Sequence, residues 1–298
     1  MATPSSDGSL QATVILPTIA GRGALLPLSA GSVLAQSVAD IELFIMGDGV
    51  DDATRRVIHA LMAQDSRVRF FDNPKHARRG EPNRHKALAE ARSKIVCYLC
   101  DRDLMLPNHV ETMQALLENA DFAHTLISAI TPEGRFRFMT AIDLAVAKDR
   151  ATIHRGWTTE NGIPLSYAGH TLDMYRRLPH GWRTTPDGEF TDLYMWAQFL
   201  AQPDCRAVSG RLPTILYFPR YWRTELTVEQ KLAELQSWNA LMQGPDWKER
   251  IMPLMFAGLA DECAQRGRWL RDGFLRRPLR KIYDRAARAF GLSREPIT

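Results

Sequence analysis

IVCYLCDRDLMLP, residues 95–107, is an apolar run that stops at two aspartates with an arginine between them. A short continuous apolar run is typical of a strand buried on both faces of a parallel sheet. In an open parallel sheet, ligands bind outside the carboxyl ends of the strands. Asp101 and Asp103 therefore stand where a binding site is expected.

Three more apolar runs of strand length precede this one. The four runs cover residues 12–17, 41–47, 67–71 and 94–100. Helical patterns are found at 25–36, 51–64, 83–92 and 107–120. Strands that alternate with helices predict an α/β fold with a mostly parallel sheet flanked by helices. Thr18 and Asp48, which follow the first two strands, are then expected at the same edge as Asp101.

Capping signals mark two helix starts. Asp51 or Asp52 is placed to cap the helix of the 51–64 segment. Asn108 and Glu111 have the spacing of a capping box at the start of the helix at 107–120. Beyond it, short strands are expected at 123–130, 134–140 and 165–175, and a helix at 191–202.

The chain divides by composition into three parts. Residues 1–10 are small and polar and are expected to be flexible. Residues 11–225 form the predicted α/β domain. Residues 226–298 are predicted to be a helical accessory region, interrupted at 243–247 and at Pro253.

Size and composition exclude several classes of protein. With 298 residues, 45% of them hydrophobic, the chain can bury a full core. Its four cysteines are too few for a disulfide framework, and no window has the roughly 18–20 apolar residues of a membrane span. With no secretory leader in view, a cytoplasmic location is expected. Nucleic acid is not an expected partner, because no zinc-finger or RNA-binding signature is found.

The strand period gives the acidic pair a first interpretation. If the strand continues in extended form, Asp101 and Asp103 lie on one face and Arg102 on the other. Two converging carboxylates would suit Mg²⁺ or Mn²⁺, which also accept phosphate oxygens as ligands. The alternative is that both aspartates end the strand and cap local turns.

Three segments in order resemble a known family. ILPT (15–18), the stretch from Asp40 to Asn73 and DRDLMLPNHVETM (101–113) resemble the inverting family-2 glycosyltransferases of the GT-A fold, and most closely the bacterial spore-coat polysaccharide type. The resemblance is strong over 12–118 and weaker over 160–218. It implies a hexosyltransferase-type enzyme that moves a sugar from a nucleoside-diphosphate sugar, with UDP favoured, to a hydroxyl of a saccharide or a lipid-linked acceptor. It also implies Mn²⁺ or Mg²⁺ as cofactor and a role in cell-surface polysaccharide or glycoconjugate synthesis.

The resemblance carries donor-binding roles onto five residues. Asp48 would accept the N3 proton of the base, since a carboxylate only accepts hydrogen bonds. Thr18 would contact base and ribose, and Arg84 would lie near the nucleotide. Asp101 would lie near the ribose and sugar, and Asp103 would be the main metal ligand with Asp101 beside it.

Two positions depart from the family pattern. Gly47 stands where the family has the first acid of an Asp-Asp pair, and Arg102 replaces an acidic or small residue. A turn residue is the alternative reading for Asp48, and a turn hydroxyl is the alternative for Thr18.

A candidate base lies in EFTDLYMWAQF, residues 189–199. It resembles the family segment in which an aspartate opens a helix with a tryptophan four residues later, which makes Asp192 the predicted catalytic base. The field of a helix N-terminus keeps such a carboxylate ionised, as a base must be. Glu189 and Asp187 compete for the role, and simple capping is the alternative for Asp192.

The C-terminal part carries most of the positive charge. Residues 266–290 hold eight Arg and one Lys against two Asp, within a net charge of +4 for the chain. The pattern over 275–290 predicts an amphipathic basic helix. This helix could lie on an anionic membrane at the inner face, or dock its apolar side on the protein.

Two other functions remain open at this stage. A catalytically silent nucleotide-sugar binding protein would account for the departures at Gly47 and Arg102. A sugar-nucleotide pyrophosphorylase would account for the first loop, but not for the helix that Asp192 opens.

Overall fold

The computed structural model describes residues 9–139, 142–154 and 162–269. The strands are β1 (Ala12–Thr18), β2 (Ile41–Asp48), β3 (Val68–Asn73), β4 (Ile95–Tyr98), β5 (Leu104–Met105), β6 (Phe122–His124), β7 (Ser128–Ile130), β8 (Phe136–Phe138), β9 (Ala168–Thr171), β10 (Ala207–Ser209) and β11 (Ile215–Leu216). The helices are α1 (Leu26–Leu34), α2 (Asp52–Gln64), α3 (Glu81–Glu90), α4 (His109–Leu117), α5 (Ala147–His154), α6 (Leu172–Arg177), α7 (Thr191–Leu200), α8 (Val228–Met242) and α9 (Trp247–Trp269). Short 3₁₀ turns lie at Leu165–Tyr167 and Arg220–Trp222.

The main sheet has seven strands in the order β10-β6-β9-β4-β1-β2-β3. Strands β1 to β4 pair in parallel, and β9 runs antiparallel between β4 and β6. Every residue of β2 is buried, as expected for a central strand with helices on both faces. The predicted α/β fold with a mostly parallel sheet is confirmed.

Helix α2 begins as its capping signal predicts. The Asp51 side chain accepts a hydrogen bond from Thr54 N at 2.7 Å. It also accepts one from Gly21 N at 2.8 Å, so the same carboxylate holds the loop that follows β1.

The capping box predicted for α4 is wrong. Asn108 occupies the N-cap position but makes no side-chain capping hydrogen bond. The Glu111 carboxylate instead accepts a hydrogen bond from Ser37 Oγ at 3.0 Å. Glu111 therefore bonds to a residue distant in sequence and not to the helix N-terminus, as the local pattern predicted.

Strand β4 ends earlier than predicted, at Tyr98. The chain then turns, and Asp103 N donates to the carbonyl of Cys100 at 3.0 Å. The period of two therefore does not continue through the acidic pair. The strand predicted over 165–175 is also too long, because Thr171 caps α6 through Met174 N at 3.2 Å.

The C-terminal helices pack on the catalytic half. Leu235 and Trp238 of α8 and Ile251 of α9 belong to one buried cluster with residues of β5, β7, β8 and β11. Pro253 lies inside α9 and does not interrupt it, which contradicts the predicted break. Only one backbone donor is lost at a proline, and the helix continues to Trp269.

Three further predictions from the sequence have the following outcomes. The boundary at residue 225 stays a prediction. The basic segment 275–290 lies outside the described residues. In the part of the chain that the structure describes, no helix combines the length and apolarity needed to span a bilayer.

Candidate functional site

The carboxyl ends of β1, β2 and β4 lie side by side. The pairing sets Thr18 opposite Gly47 and Ile15 opposite Tyr98. Neighbouring strands lie about 4.8 Å apart. The side chains that leave these ends, from Thr18, Asp48 and Asp101, therefore share one edge of the sheet.

Asp101 is tied to the loop after β1. Its Oδ2 accepts a hydrogen bond from Thr18 Oγ1 at 3.0 Å, and Arg22 Nε lies 3.9 Å from the same oxygen. Burial raises the pKa of Asp101 above its usual value, although the guanidinium groups of Arg22 and Arg102 oppose this effect. Thr18 thus acts as a donor to the acidic pair.

Asp103 points to different partners and has no exposed surface. Its Oδ2 accepts from Ser166 Oγ at 2.6 Å, and its Oδ1 accepts from Phe218 N at 3.1 Å. Burial raises the pKa of this carboxyl to about 6. Each oxygen of this buried carboxylate therefore already accepts one hydrogen bond from the protein.

Asp48 lies under the loop between β3 and α3. Its Oδ1 accepts from His76 N at 2.6 Å, and its other oxygen pairs with Lys75 Nζ. Gly80, with φ of +68°, starts α3 against this carboxylate. Because the Lys75 side chain is 57% exposed, it can leave for water and free an acceptor for a base edge.

The guanidinium of Arg84 is buried, and some of its hydrogen-bond donors have no acceptor. Its Cζ lies 4.6 Å from the centroid of the Trp182 ring, and its Nη2 donates to the Arg79 carbonyl at 3.0 Å. Its Nε and Nη1 are buried without a hydrogen-bond partner. Stacking fixes the plane of the fork while two of its nitrogens stay available.

Asp192 lies in the first turn of α7, as predicted. Its Oδ2 accepts from Leu165 N at 3.0 Å. The next residue, Ser166, donates to Asp103, so one short turn contacts both acids. The competitor Asp187 is 97% exposed and pairs with Arg78 Nη1 at 2.9 Å, farther from this cluster of contacts.

Sequence reasoning missed Ser166, Phe218 and Arg22. Ser166 and Phe218 act through bonds to a residue far away in the chain, and no local motif marks them. Arg22 follows β1, so the rule about strand ends could have found it. Arg102 was expected to face away from the site, but it lines a cavity together with Arg22.

The described residues contain no ready-made metal site. Nowhere in 9–139, 142–154 or 162–269 do three His, Cys, Asp or Glu side chains come together so as to hold an ion. Asp101 and Asp103 contribute two carboxylates at most, and the second is enclosed by protein. As placed, the pair does not fit a directly bound metal.

The sequence over residues 13–172, more than half of the chain, matches the family described as Glycosyl transferase family 2. The chain belongs to glycosyl transferase family 2. The predicted family and the predicted enzyme class, a glycosyltransferase, are thereby confirmed. The closer likeness to the spore-coat type stays a prediction.

One curated relative of this family-2 chain is the GalNAc(5)-diNAcBac-PP-undecaprenol beta-1,3-glucosyltransferase of Campylobacter jejuni. The two are 29% identical over 112 residues, which is 38% of this chain and 36% of the relative. The match therefore spans about a third of the relative's length.

Two similar solved structures are those of S. aureus TarS residues 1–349, without ligand and with UDP-GlcNAc. The first has a TM-score of 0.53 at 11% identity and covers 80% of this chain and 68% of TarS 1–349. The second has a TM-score of 0.52 at 13% identity and covers 78% and 66%. At this identity the likeness concerns the fold alone, and it agrees with the predicted GT-A architecture of a family-2 chain.

Proposed function

We propose that this chain transfers a sugar, with inversion, from a nucleoside-diphosphate sugar to a hydroxyl group. The observation that carries the proposal is the gathering of Asp48, Asp101 and Asp192 around one edge of the sheet in a chain of this family. Strand ends at such an edge are where open parallel sheets bind ligands. Membership of the family does not favour the pyrophosphorylase alternative.

Base recognition is assigned to the Asp48 side of the edge. A carboxylate suits the N3 donor of uracil, which supports a UDP-sugar as donor. Arg84 lies near the start of α3, next to the loop over Asp48, and offers two unpartnered nitrogens to a base or phosphate. Thr18 and Asp101, joined at 3.0 Å, are assigned to the ribose and sugar.

Asp192 is assigned the role of base toward the acceptor hydroxyl. Inversion requires attack on the side of the sugar opposite to the departing diphosphate, with a carboxylate near the attacking oxygen. Asp192 is linked to Asp103 through the Leu165–Tyr167 turn, which supports a role beside the proposed donor carboxylates. Its position in the first turn of α7 favours the ionised form.

The acceptor is proposed to be a saccharide, either free or lipid-linked. The printed name of the Campylobacter jejuni relative describes an undecaprenol-diphosphate glycan, which supports a lipid-linked acceptor here. A role in cell-surface polysaccharide or glycoconjugate synthesis, and a cytoplasmic location with peripheral contact to the inner face of the membrane, follow from that proposal.

A divalent ion, Mn²⁺ or Mg²⁺, has less support from the side chains. The family resemblance assigns it to Asp103 and Asp101, but Ser166 Oγ and Phe218 N would have to withdraw before an ion could reach Asp103. Titration of the protein with MnCl₂, followed by UDP affinity with and without EDTA, tests the assignment directly.

The proposed function is tested with two variants and one donor panel. Asp48→Asn is expected to weaken uridine and UDP binding about tenfold or more, because an amide N–H₂ would meet the N3 donor. Asp192→Asn is expected to bind UDP as the wild type does, yet to lose about 100-fold or more in sugar transfer or donor hydrolysis. Isothermal titration and product chromatography measure the two effects.

The control is Asp187→Asn, an exposed acid outside the cluster. Wild-type protein that binds UDP but never turns over a UDP-sugar would identify the silent binding module instead. Protein that binds no nucleotide of any base would reject the proposal.

A further inference from the structure

Trp182 packs against the guanidinium of Arg84 and is almost fully buried. Its exposed fraction is 2%, and the Arg84 Cζ lies 4.6 Å from the centroid of its ring. Arg84 Nη2 donates to the Arg79 carbonyl at 3.0 Å, while Nε and Nη1 are buried without a partner among the residues that the structure describes. The plane of the Arg84 fork therefore depends on the indole face more than on hydrogen bonds.

The indole ring of Trp182 is itself held by a chain of hydrogen bonds with a defined direction. Burial lowers the pKa of His170 to about 4, so at pH 7 its ring is neutral and one nitrogen carries the proton. That nitrogen is Nδ1, because it lies 3.0 Å from the Thr171 carbonyl, which can only accept. His170 Nε2 then accepts from Tyr98 Oη at 2.7 Å, and the Tyr98 oxygen is left to accept from Trp182 Nε1 at 2.9 Å. These bonds fix the rotation of the indole.

The backbone of Trp182 is also held against α3. Trp182 N donates to Tyr175 Oη at 3.0 Å, and the same hydroxyl lies 2.8 Å from Nδ1 of His85, the neighbour of Arg84 in the chain. Gly181 has a φ of +61°, and a Cβ built there would lie 2.7 Å from that His85 nitrogen. The segment thus approaches α3 too closely for a side chain at position 181. Contacts of both the ring and the backbone therefore fix Trp182 relative to Arg84.

Trp182 also contacts the helix that carries the proposed base. Its ring packs edge-on against the ring of Trp196 in α7, with centroids 5.6 Å apart. Asp192 lies in the first turn of the same helix. One buried side chain therefore lies between the arginine assigned to the nucleotide and the helix that presents the carboxylate assigned to the acceptor.

We propose that Trp182 is a positioning residue for nucleotide binding: its ring sets the plane of the Arg84 guanidinium, so that the unpaired nitrogens of Arg84 meet the nucleotide. This inference rests on the proposed function, because it needs Arg84 to contact the nucleotide. In this role Trp182 acts through Arg84 and not through a ligand contact of its own. A side chain that acts through another one shows non-additive effects when both are changed.

A double-mutant cycle on the full-length protein tests the proposal, with UDP as the probe and isothermal titration as the measurement. Arg84→Gln is expected to weaken UDP binding about tenfold or more, as for the loss of a hydrogen bond from a charged group. Trp182→Leu is expected to weaken it about fivefold or more, because the cation loses the aromatic face that orients it. In the Arg84→Gln background, Trp182→Leu is expected to have almost no further effect on UDP affinity.

Trp182→Phe is the conservative variant. It keeps an aromatic face for Arg84, so its UDP affinity should return to within about threefold of the wild type. Binding is measured below the unfolding transition of each variant, so that a loss of stability alone does not change the affinity. If Trp182→Leu does not fold, Trp182→Met takes its place in the cycle, because the flexible methionine side chain fills an irregular space without an aromatic face.

The matched control is Trp238→Leu. Trp238 is a tryptophan of the other hydrophobic cluster and is 6% exposed, so its replacement also removes a large buried ring. This variant is expected to lose stability and to bind UDP as the wild type does. A loss of UDP affinity that followed the loss of a buried tryptophan at either position would overturn the proposal.

Failure of this inference can be told apart from failure of the proposed function. Trp182→Leu with the UDP affinity of the wild type would overturn the positioning role, and so would equal losses with and without Arg84. Both results leave the proposed function unaffected, because the wild-type protein still binds UDP. Wild-type protein that binds no UDP would reject the proposed function and the positioning role with it.

Discussion

Arg84 and Arg102 share a property with Arg78 and Arg223. Each has at least one buried guanidinium nitrogen without a hydrogen-bond acceptor. A buried donor left unpaired costs roughly 1–3 kcal/mol, and more when it is charged. Arg102 lies between the two aspartates in the chain, and Arg84 lies in α3, whose N-cap residue Gly80 packs against Asp48. A bound ligand with acceptor oxygens at these two places would remove that cost.

The candidate site was predictable where a residue follows a strand. Thr18, Asp48 and Asp101 come directly after apolar runs, so a local pattern places all three. Ser166 could not be predicted, because its role depends on a hydrogen bond to Asp103, 63 residues away. The sequence did not predict the direction of the Arg102 side chain, because the turn after Cys100 depends on contacts with residues far away in the chain.

Gly47 departs from the family pattern for a steric reason. A Cβ built there would lie 2.9 Å from a ring carbon of Phe70 and 3.3 Å from Val50. Gly47→Ala is therefore expected to lower the free energy of unfolding by about 1–3 kcal/mol, as overpacking does. Urea denaturation measures the change.

The matched control for that substitution is Gly31→Ala. Gly31 lies in α1 with nothing within 4 Å of a built Cβ, so alanine is expected to raise stability by about 0.5–1 kcal/mol. Equal effects at the two positions would contradict the steric explanation.

At the scale of secondary-structure elements, local sequence signals predicted where an element begins better than where it ends. Helix α2 was predicted over 51–64 with Asp51 or Asp52 as its cap, and it is observed over Asp52–Gln64 with Asp51 as the cap, because the capping signal and the apolar spacing are both local. The end of β4 depends on a turn whose hydrogen bonds come from residues such as Ser166, bonded to Cys100 N at 3.0 Å. The capping box at Asn108 failed because Glu111 has a tertiary partner.

The pairing of β4 with β9 contains a buried histidine that makes stability depend on pH. His170 Nε2 lies 2.7 Å from Tyr98 Oη, across the two strands. Burial lowers the pKa of His170 to about 4. The unfolded chain binds this proton near pH 6.5 and the folded chain does not, so stability is full above that pH and falls toward pH 4 by up to about 1.4 kcal/mol per unit.

Denaturant midpoints at pH 7.0 and 4.5 measure this effect. His170→Gln is expected to lower stability at pH 7 and to make the loss between the two pH values smaller than in the wild type. His180→Gln, at an exposed position, is expected to leave the pH difference unchanged. An unchanged difference in His170→Gln would show that other groups dominate acid unfolding.

At the scale of the whole molecule, the described residues form two buried hydrophobic clusters. One surrounds β1, β2 and β4. The other joins β5, β7, β8 and β11 to α8 and the start of α9. The sequence predicted the C-terminal helices but not this joint core, because apolar spacing shows that a helix has a buried face without showing what covers it.

Trp238→Ala tests whether α8 is integral to the catalytic half. The side chain is 6% exposed and its ring packs edge-on against Phe136, with centroids 5.6 Å apart. Its loss is expected to lower the free energy of unfolding by about 3–5 kcal/mol. Phe256→Ala is the control, because that side chain is 62% exposed and should cost little. A much smaller change in the free energy of unfolding for Trp238→Ala would show that α8 contributes little to the stability of the catalytic half.

The Leu165–Tyr167 turn has a consequence for kinetics. Leu165 N holds the acid assigned to the incoming hydroxyl, and Ser166 Oγ holds an acid beside the departing group. If the proposed roles hold, deprotonation of the acceptor and cleavage of the bond to the leaving group depend on two consecutive residues. A substitution that displaces this turn is then expected to change the Michaelis constants of donor and acceptor together.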